Sequence, residues 1–172
     1  EDIFTTILGC EKAVIAPTMM GFFDWSALHC SNAGTFGEAY RKLEPAAIWD
    51  MDKRTSWNTH YKAIYLTNFL HENQFRFKNI SQERIDFWLA QADFVKALMY
   101  FRLAQDWGEA VVAPSTEDAS QQAKSPINTI LTEAIQAAEA ALILPTFDKL
   151  TNAQGNNINS RQYASLGTVH TL

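Results

Sequence analysis

The chain has 172 residues, 47% of them hydrophobic, which is enough for one sizeable core but not for two. Its net charge of −5, from 14 basic and 19 acidic residues, argues against nucleic acid as a partner, because phosphate binding requires a basic face. No apolar run in the sequence approaches the length needed to cross a bilayer.

The two cysteines, Cys10 and Cys30, lie outside any metal-binding spacing. His29 precedes Cys30, but no second pair of ligands is present to complete a tetrahedral site. We therefore predict no metal and no cofactor, and we interpret Cys10 as a core residue.

The first half of the chain predicts a helix followed by a long irregular segment. Apolar residues at helical spacing indicate a helix from Ile3 to about Ala16, which Pro17 kinks and which continues to Phe23. From Asp24 to Thr55 no period persists, and glycine and proline interrupt the segment.

Two long helices follow. Thr55 or Ser56 is the predicted cap of the first, whose Trp57, Tyr61, Ile64 and Asn68 share one face. The second begins after the cap Ser81 and ends at Gly108. It is apolar on more than one side, with Val95, Met99 and Leu103 on one and Phe94, Leu98 and Phe101 on another. Such a helix must be buried from several directions, so function is expected from loops at the helix ends.

The last third predicts a linker and two more helices. Residues Glu109 to Lys124 are interpreted as a linker that is extended at Ala110 to Ala113. Ser125 and Pro126 begin a helix that Pro145 terminates. A fifth helix is expected from Asn159 or Ser160, with Gln162 completing a partial capping box.

That fifth helix carries the apolar face Tyr163, Leu166 and Val169 up to Leu172, with no stop signal. We expect this face to lack its natural cover. Residues 1–172 are therefore interpreted as a single all-α domain, the front portion of a longer protein or a chain completed by a partner.

The ordered features resemble the SusD/RagB-like family of outer-membrane lipoproteins of Bacteroidetes. The family's Trp, Tyr, Ile and Asn along one helix correspond to Trp57, Tyr61, Ile64 and Asn68. Its long inner helix, which ends in aromatic-Gly-acid, corresponds to Ala97, Tyr100, Phe101, Leu103, Trp107, Gly108 and Glu109. A capped helix that ends in Leu-Pro, here Ser125 to Pro145, precedes an Arg-led helix, here Arg161 to Leu172. Gln91 and Lys96 stand where the family tends to carry Glu and Arg, and Ala110-Val111-Val112 replaces its common Val-Pro-Leu.

The resemblance implies fold, function and location. The fold would be antiparallel helix pairs stacked like tetratricopeptide repeats, with the long irregular loop between the first two long helices. Such proteins are implied to bind a glycan at the cell surface without cleaving it. They are implied to pass it to a SusC-like TonB-dependent transporter, and a lipid anchor on a cysteine not present in this chain would hold them peripherally at the outer membrane.

The loop from Asp24 to Thr55 is the predicted glycan site. A glycan site needs flat aromatic faces and a few polar groups on an exposed loop. The candidate ligand-binding residues, all outside any periodic pattern, are Asp24, Trp25, Phe36, Tyr40, Trp49 and Asp50. The resemblance adds that glycan contacts in the family often come from the loop before the Trp/Tyr/Ile/Asn helix. The alternative is that loop tryptophans plug the edge of the helical core.

Other residues are interpreted as structural. Trp57, Trp88 and Trp107 are predicted to be core, and Asn68 a satisfied buried amide that braces two helices. The acidic residues are scattered rather than paired across a cleft, so we predict no catalytic residues and no enzyme. The competing function is a helical-repeat scaffold that binds a protein partner and has no sugar affinity.

Overall fold

The structure of the protein, a computed structural model, describes residues 52–117, 122–151, 156–157 and 163–172, with the backbone alone for 52–56. The helices are α1 (Asp52–Glu72), α2 (Gln82–Trp107), α3 (Ile127–Ala140) and the single turn α4 (Leu166–Val169), with 3₁₀ turns at Gln74–Arg76, Ala141–Ile143 and Phe147–Lys149. These ranges contain no β-strand, and isolated antiparallel bridges join Ala110 to Ser125 and Thr151 to Asn157. The predicted all-α class is confirmed.

The bounds of α2 follow the predicted signals. Ser81 is the N-cap, and its side chain accepts a hydrogen bond from the backbone N–H of Arg84. Gly108 ends the helix with a φ of 73°, a backbone conformation that favours glycine. α1 begins earlier than predicted, at Asp52 instead of Thr55 or Ser56. The residues just before Thr55 contain no helix breaker, and an aspartate is favoured in a first turn.

α2 is the central helix of the fold. It packs against α1 on one side and α3 on another. Val95, Met99 and Leu103 are fully buried, and Phe94 and Leu98 are buried on a second face. The prediction that this helix is enclosed from several directions is confirmed.

α1 and α2 form an antiparallel pair. Trp57 at the start of α1 contacts Trp107 at the end of α2. His71, one residue before the end of α1, forms a 2.7 Å contact with the carboxylate of Asp93, in the first half of α2. The predicted antiparallel arrangement therefore holds for this pair.

The start of α3 differs from the prediction that Ser125 caps it. The helix begins at Ile127 and its N-cap position is Pro126, with no side-chain cap. The backbone of Ser125 is engaged elsewhere, since it exchanges hydrogen bonds of 2.7 and 3.2 Å with Ala110. This bridge fixes both ends of the linker beside each other.

The last predicted helix is wrong in its start and its cap. Residues 158–162, which include the predicted cap Gln162, lie outside those described, and α4 begins only at Leu166, with Ser165 and Thr168 forming the capping box. Ala164 cannot be helical because the side chain of Gln91 binds its backbone on both sides. The Gln91 amide donates to the carbonyl of Ala164 at 2.7 Å and accepts from its N–H at 2.9 Å.

The expectation of an uncovered face on this segment is also wrong. Val169 is buried in the core and Leu166 is half-buried. The ring of Tyr163 packs against Phe87 and Trp88 of α2. These contacts supply the cover that the sequence appeared to lack.

The extended linker, Ala110–Thr116, lies against α1 and α2 and is held by their tyrosines. The hydroxyl of Tyr61 donates to the carbonyl of Val111 at 2.9 Å and accepts from its N–H at 2.7 Å. Tyr100 does the same for Ala113, at 3.3 and 2.9 Å. Each hydroxyl therefore replaces the partner that a neighbouring strand would give.

Asn68 completes this contact and confirms the prediction of a satisfied buried amide. Its amide nitrogen donates to the carbonyls of Ala113 at 2.8 Å and of Ser115 at 3.0 Å. Its oxygen accepts from the ammonium of Lys96 on α2 at 2.8 Å. Asn68 thus links α1 both to α2 and to the extended linker.

Replacing Asn68 by alanine is expected to reduce the free energy of unfolding by about 2–3 kcal/mol, because a buried carbonyl and the ammonium of Lys96 lose their partners. Urea denaturation measures the loss. Asn58→Ala, at an exposed asparagine on the same helix, serves as the control and should stay within about 0.5 kcal/mol of the wild type. Equal effects of the two substitutions would contradict the bracing role.

Replacing Gly108 by alanine is expected to reduce the free energy of unfolding by about 1–2 kcal/mol. An added Cβ meets no atom within 4 Å, so the effect comes from the positive φ alone. The control is Gly167→Ala in α4, where the new Cβ makes only an ordinary 3.8 Å contact with Ser165. Thermal unfolding should show Gly167→Ala unchanged or stabilised, and a neutral Gly108→Ala would contradict the argument.

Candidate functional site

The six predicted glycan-binding residues, Asp24, Trp25, Phe36, Tyr40, Trp49 and Asp50, lie outside the described residues. The segment that carries them leads directly into α1, which starts at Asp52. The described side chains nearest to it along the chain are those of the first turns of α1. They form the candidate site that can be examined in detail.

An aromatic cluster occupies this end of the α1–α2 pair. We define it as Trp57, His60 and Tyr61 of α1 and Trp107 of α2. The ring centroids of Trp57 and Tyr61 are 5.0 Å apart, and those of Trp57 and Trp107 are 5.3 Å apart in an edge-to-face arrangement. His60 also meets Trp107 edge to face, at 5.4 Å. Both separations lie in the range that favours aromatic pairs.

The cluster is anchored below and open above. His60 is fully buried, whereas Trp57, Tyr61 and Trp107 are half-buried and pack against the core. The ammonium of the exposed Lys124 lies 5.6 Å from the ring centre of Trp57. The two tryptophans are therefore core residues as predicted, but each also keeps part of its ring at the surface.

Tyr61 joins the cluster to the extended linker. Its ring contacts Trp57, while its hydroxyl binds the backbone of Val111. Burial raises the pKa of Tyr61 to about 12, although the hydrogen bond to Val111 acts in the opposite direction. The hydroxyl stays protonated at neutral pH and can both donate and accept.

The polar groups behind the cluster are tuned by burial and by each other. Burial raises the pKa of Tyr100 well above its ordinary value. Burial lowers the pKa of Lys96, and the nearby carboxylates of Asp93 and Glu133 partly offset this effect. These groups hold the backbone of the linker and the side chain of Asn68, so their role is structural.

A second aromatic cluster lies near the start of α2, about 25–30 Å along the helix from Trp107. The guanidinium of Arg84 lies 4.8 Å from the ring centre of Phe87 and 4.6 Å from that of Trp88, and it donates to the carbonyl of Thr151 at 2.9 Å. Tyr163 contacts both rings. Trp88 is half-buried rather than core, and Arg84 covers its ring. These contacts tie the segments after α3 to α2.

The described residues offer no metal centre. Nowhere in these ranges do three His, Cys, Asp or Glu side chains come together in a way that could hold an ion. The helices in the same ranges are also too short or too polar to cross a bilayer. The chemistry that the aromatic cluster can perform is contact with an apolar or cationic surface, with hydrogen bonds at its edge.

The sequence interpretation overlooked His60 and Lys124. His60 follows Trp57 by three residues, a spacing that places both on one helix face, and Trp107 marks the end of the antiparallel neighbour. These two signals together could have predicted the cluster. Lys124 could not have been assigned, because its position depends on the bridge between Ala110 and Ser125.

Comparison with known families gives one match that covers most of the chain. The sequence model of a SusD-like family, described as "Starch-binding associating with outer membrane", matches residues 26–154. No curated protein matches the chain at a significant level.

Solved structures of similar fold come from the same group. A SusD superfamily protein from Bacteroides thetaiotaomicron has a TM-score of 0.80 at 16% identity, over 99% of this chain and 41% of its own. A laminarin-binding SusD-like protein has a TM-score of 0.57 at 16% identity, over 81% and 29%. A SusD-like protein from Bacteroides fragilis has a TM-score of 0.55 at 15% identity, over 66% and 21%. The chain thus spans between about a fifth and two fifths of the length of these structures.

Replacing Tyr61 by phenylalanine is expected to flatten the loss of stability at alkaline pH. Because the folded pKa of about 12 exceeds the ordinary value of 10.0, the contribution of Tyr61 is complete below pH 10 and is lost as the pH rises through 12. Urea denaturation between pH 9 and about 12 measures the slope. Tyr65→Phe, at an exposed ring on α1, should follow the wild type. Identical slopes for Tyr61→Phe and the wild type would contradict this account.

Proposed function

The chain belongs to the SusD-like family described as starch-binding and associated with the outer membrane, and on this premise we propose that it binds a glycan without cleaving it. The aromatic cluster beside the entry to α1 supports the proposal most directly. Trp57 and Trp107 keep part of their rings at the surface while the core holds them in place. A sugar ring packs its apolar face on such a surface, and polar groups at the edge bind its hydroxyls.

The predicted loop residues would extend this surface. In the proposal, Trp25, Phe36, Tyr40 and Trp49 supply further aromatic faces, and Asp24 and Asp50 accept hydrogen bonds from sugar hydroxyls. Asp50 stands only two residues before α1, so Trp49 and Asp50 enter the fold next to the cluster. The site would then combine a rigid base on two helices with an adaptable loop.

The non-catalytic role rests on the make-up of the cluster. Cleavage of a glycosidic bond requires two carboxylates that flank the bond. The cluster as defined contains aromatic rings, one histidine and the nearby Lys124, and no carboxylate. Binding is therefore the activity that its chemistry favours.

The family description also supports a proposed location and partner. We place the protein at the outer membrane, on the outward-facing surface, where it would deliver the bound glycan to a SusC-like TonB-dependent transporter. A lipid anchor outside this chain would hold it there. The laminarin-binding relative makes β-glucans a reasonable first set of ligands.

Replacing Trp49 by alanine is expected to weaken glycan binding by about tenfold, because one stacking face is worth roughly 1.4 kcal/mol. The measurement is retardation of the full-length protein in native gels cast with soluble polysaccharides, including laminarin and starch. The control is Phe75→Ala, at an aromatic ring that is 73% exposed just beyond the opposite end of α1. Phe75→Ala should migrate as the wild type does.

Two outcomes would overturn the proposal in different ways. Absence of retardation by every glycan tested would favour the alternative, a helical-repeat scaffold that binds a protein partner. Retardation that Trp49→Ala and Phe75→Ala leave equally unchanged would keep glycan binding but remove Trp49 from the site.

A further inference from the structure

An exposed apolar surface runs along α3 and the turns that follow it. Its large exposed side chains are Ile127, Ile135, Leu142, Ile143 and Phe147. Ile135 is 58% exposed and Ile143 is 66% exposed. A concentration of this kind on one helix marks a packing surface, whereas single exposed apolar residues are ordinary.

The positions of these residues form a second helix face. We define the α3 stripe as Ile127, Leu131, Ile135, Ala138 and Leu142, which recur at intervals of three and four residues. It lies next to the face that is buried in the core, formed by Ile130, Ala134, Ala137 and Ala141. The apolar arc of α3 is therefore about twice as wide as the part that the described residues cover.

The edge of the α3 stripe carries uncharged groups. Asn128, Thr132 and Gln136 are exposed beside it, where a helix that faces water usually carries lysine, arginine or glutamate. In stacked helical proteins the outermost helix has a polar outer face, because nothing packs on it. α3 lacks this character and therefore resembles an inner layer of a stack.

We propose that the α3 stripe is an internal packing surface of the full-length protein, covered by an amphipathic helix from the chain beyond residue 172. The relative from Bacteroides thetaiotaomicron shares the fold over 99% of this chain but uses only 41% of its own length to do so. More than half of that protein therefore lies outside the shared part and can supply such a layer.

The position of α4 supports this assignment. α4 packs against the turn Ala141–Ile143, and the N–H of Leu166 donates to the carbonyl of Pro145 at 2.9 Å. A chain that continues past α4 therefore starts beside the end of the α3 stripe. It reaches the stripe without a long connection.

Thiol accessibility tests the proposal. Ile135→Cys and, independently, Ile127→Cys place a thiol on the α3 stripe, and Gln136→Cys places a matched thiol on the polar side. Each variant is made in the protein expressed from its complete reading frame and also in the chain of residues 1–172. Maleimide modification of each site is followed by peptide mass spectrometry, which separates the new thiol from Cys10 and Cys30.

In the full-length protein the stripe thiols are expected to react at least about tenfold more slowly than Gln136→Cys, at a rate independent of protein concentration. In residues 1–172 all three are expected to react at similar rates. Equal rates in the full-length protein would overturn the proposal. Protection already present in residues 1–172 would overturn it in favour of an earlier segment, and protection that grows with concentration would overturn it in favour of a second copy. None of these outcomes bears on glycan binding.

Discussion

The fold depends on how the backbone of the extended linker is satisfied. Between α2 and α3 the chain crosses the helix pair in an extended form, where its N–H and C=O groups have no neighbouring strand. Tyr61, Asn68 and Tyr100 supply the missing partners from their side chains. Buried peptide groups without such partners would each be destabilising. This contact fixes the route of the linker, and with it the position of Lys124 beside Trp57.

The same contact gives a physical account of the motif that indicated the family. Trp57 and Ile64 of the first motif pack on the core, whereas Tyr61 and Asn68 bind the linker. Tyr100 repeats the role of Tyr61 from the other helix. In the described part of the chain these motif residues therefore serve the fold directly, and they serve the candidate site by holding its base in place.

The sequence predicted the helices well and their connections poorly. Periodicity and local caps placed α2 between Ser81 and Gly108, because these signals act within a few residues. Ser125 and Ala164 were misassigned, because distant partners determine their conformations: Ala110 for the first and Gln91 for the second. The aromatic cluster was divided in the same way, with its tryptophans recognised but their meeting across two helices not foreseen.

Gln91 has a consequence for the environments in which the fold holds together. An amide is neutral and offers both a donor and an acceptor, so it binds the C=O and the N–H of Ala164 at once. A glutamate, which the resemblance would favour there, could do both only when protonated. This joint therefore carries no charge, and neither added salt nor a moderate change in acidity should loosen it.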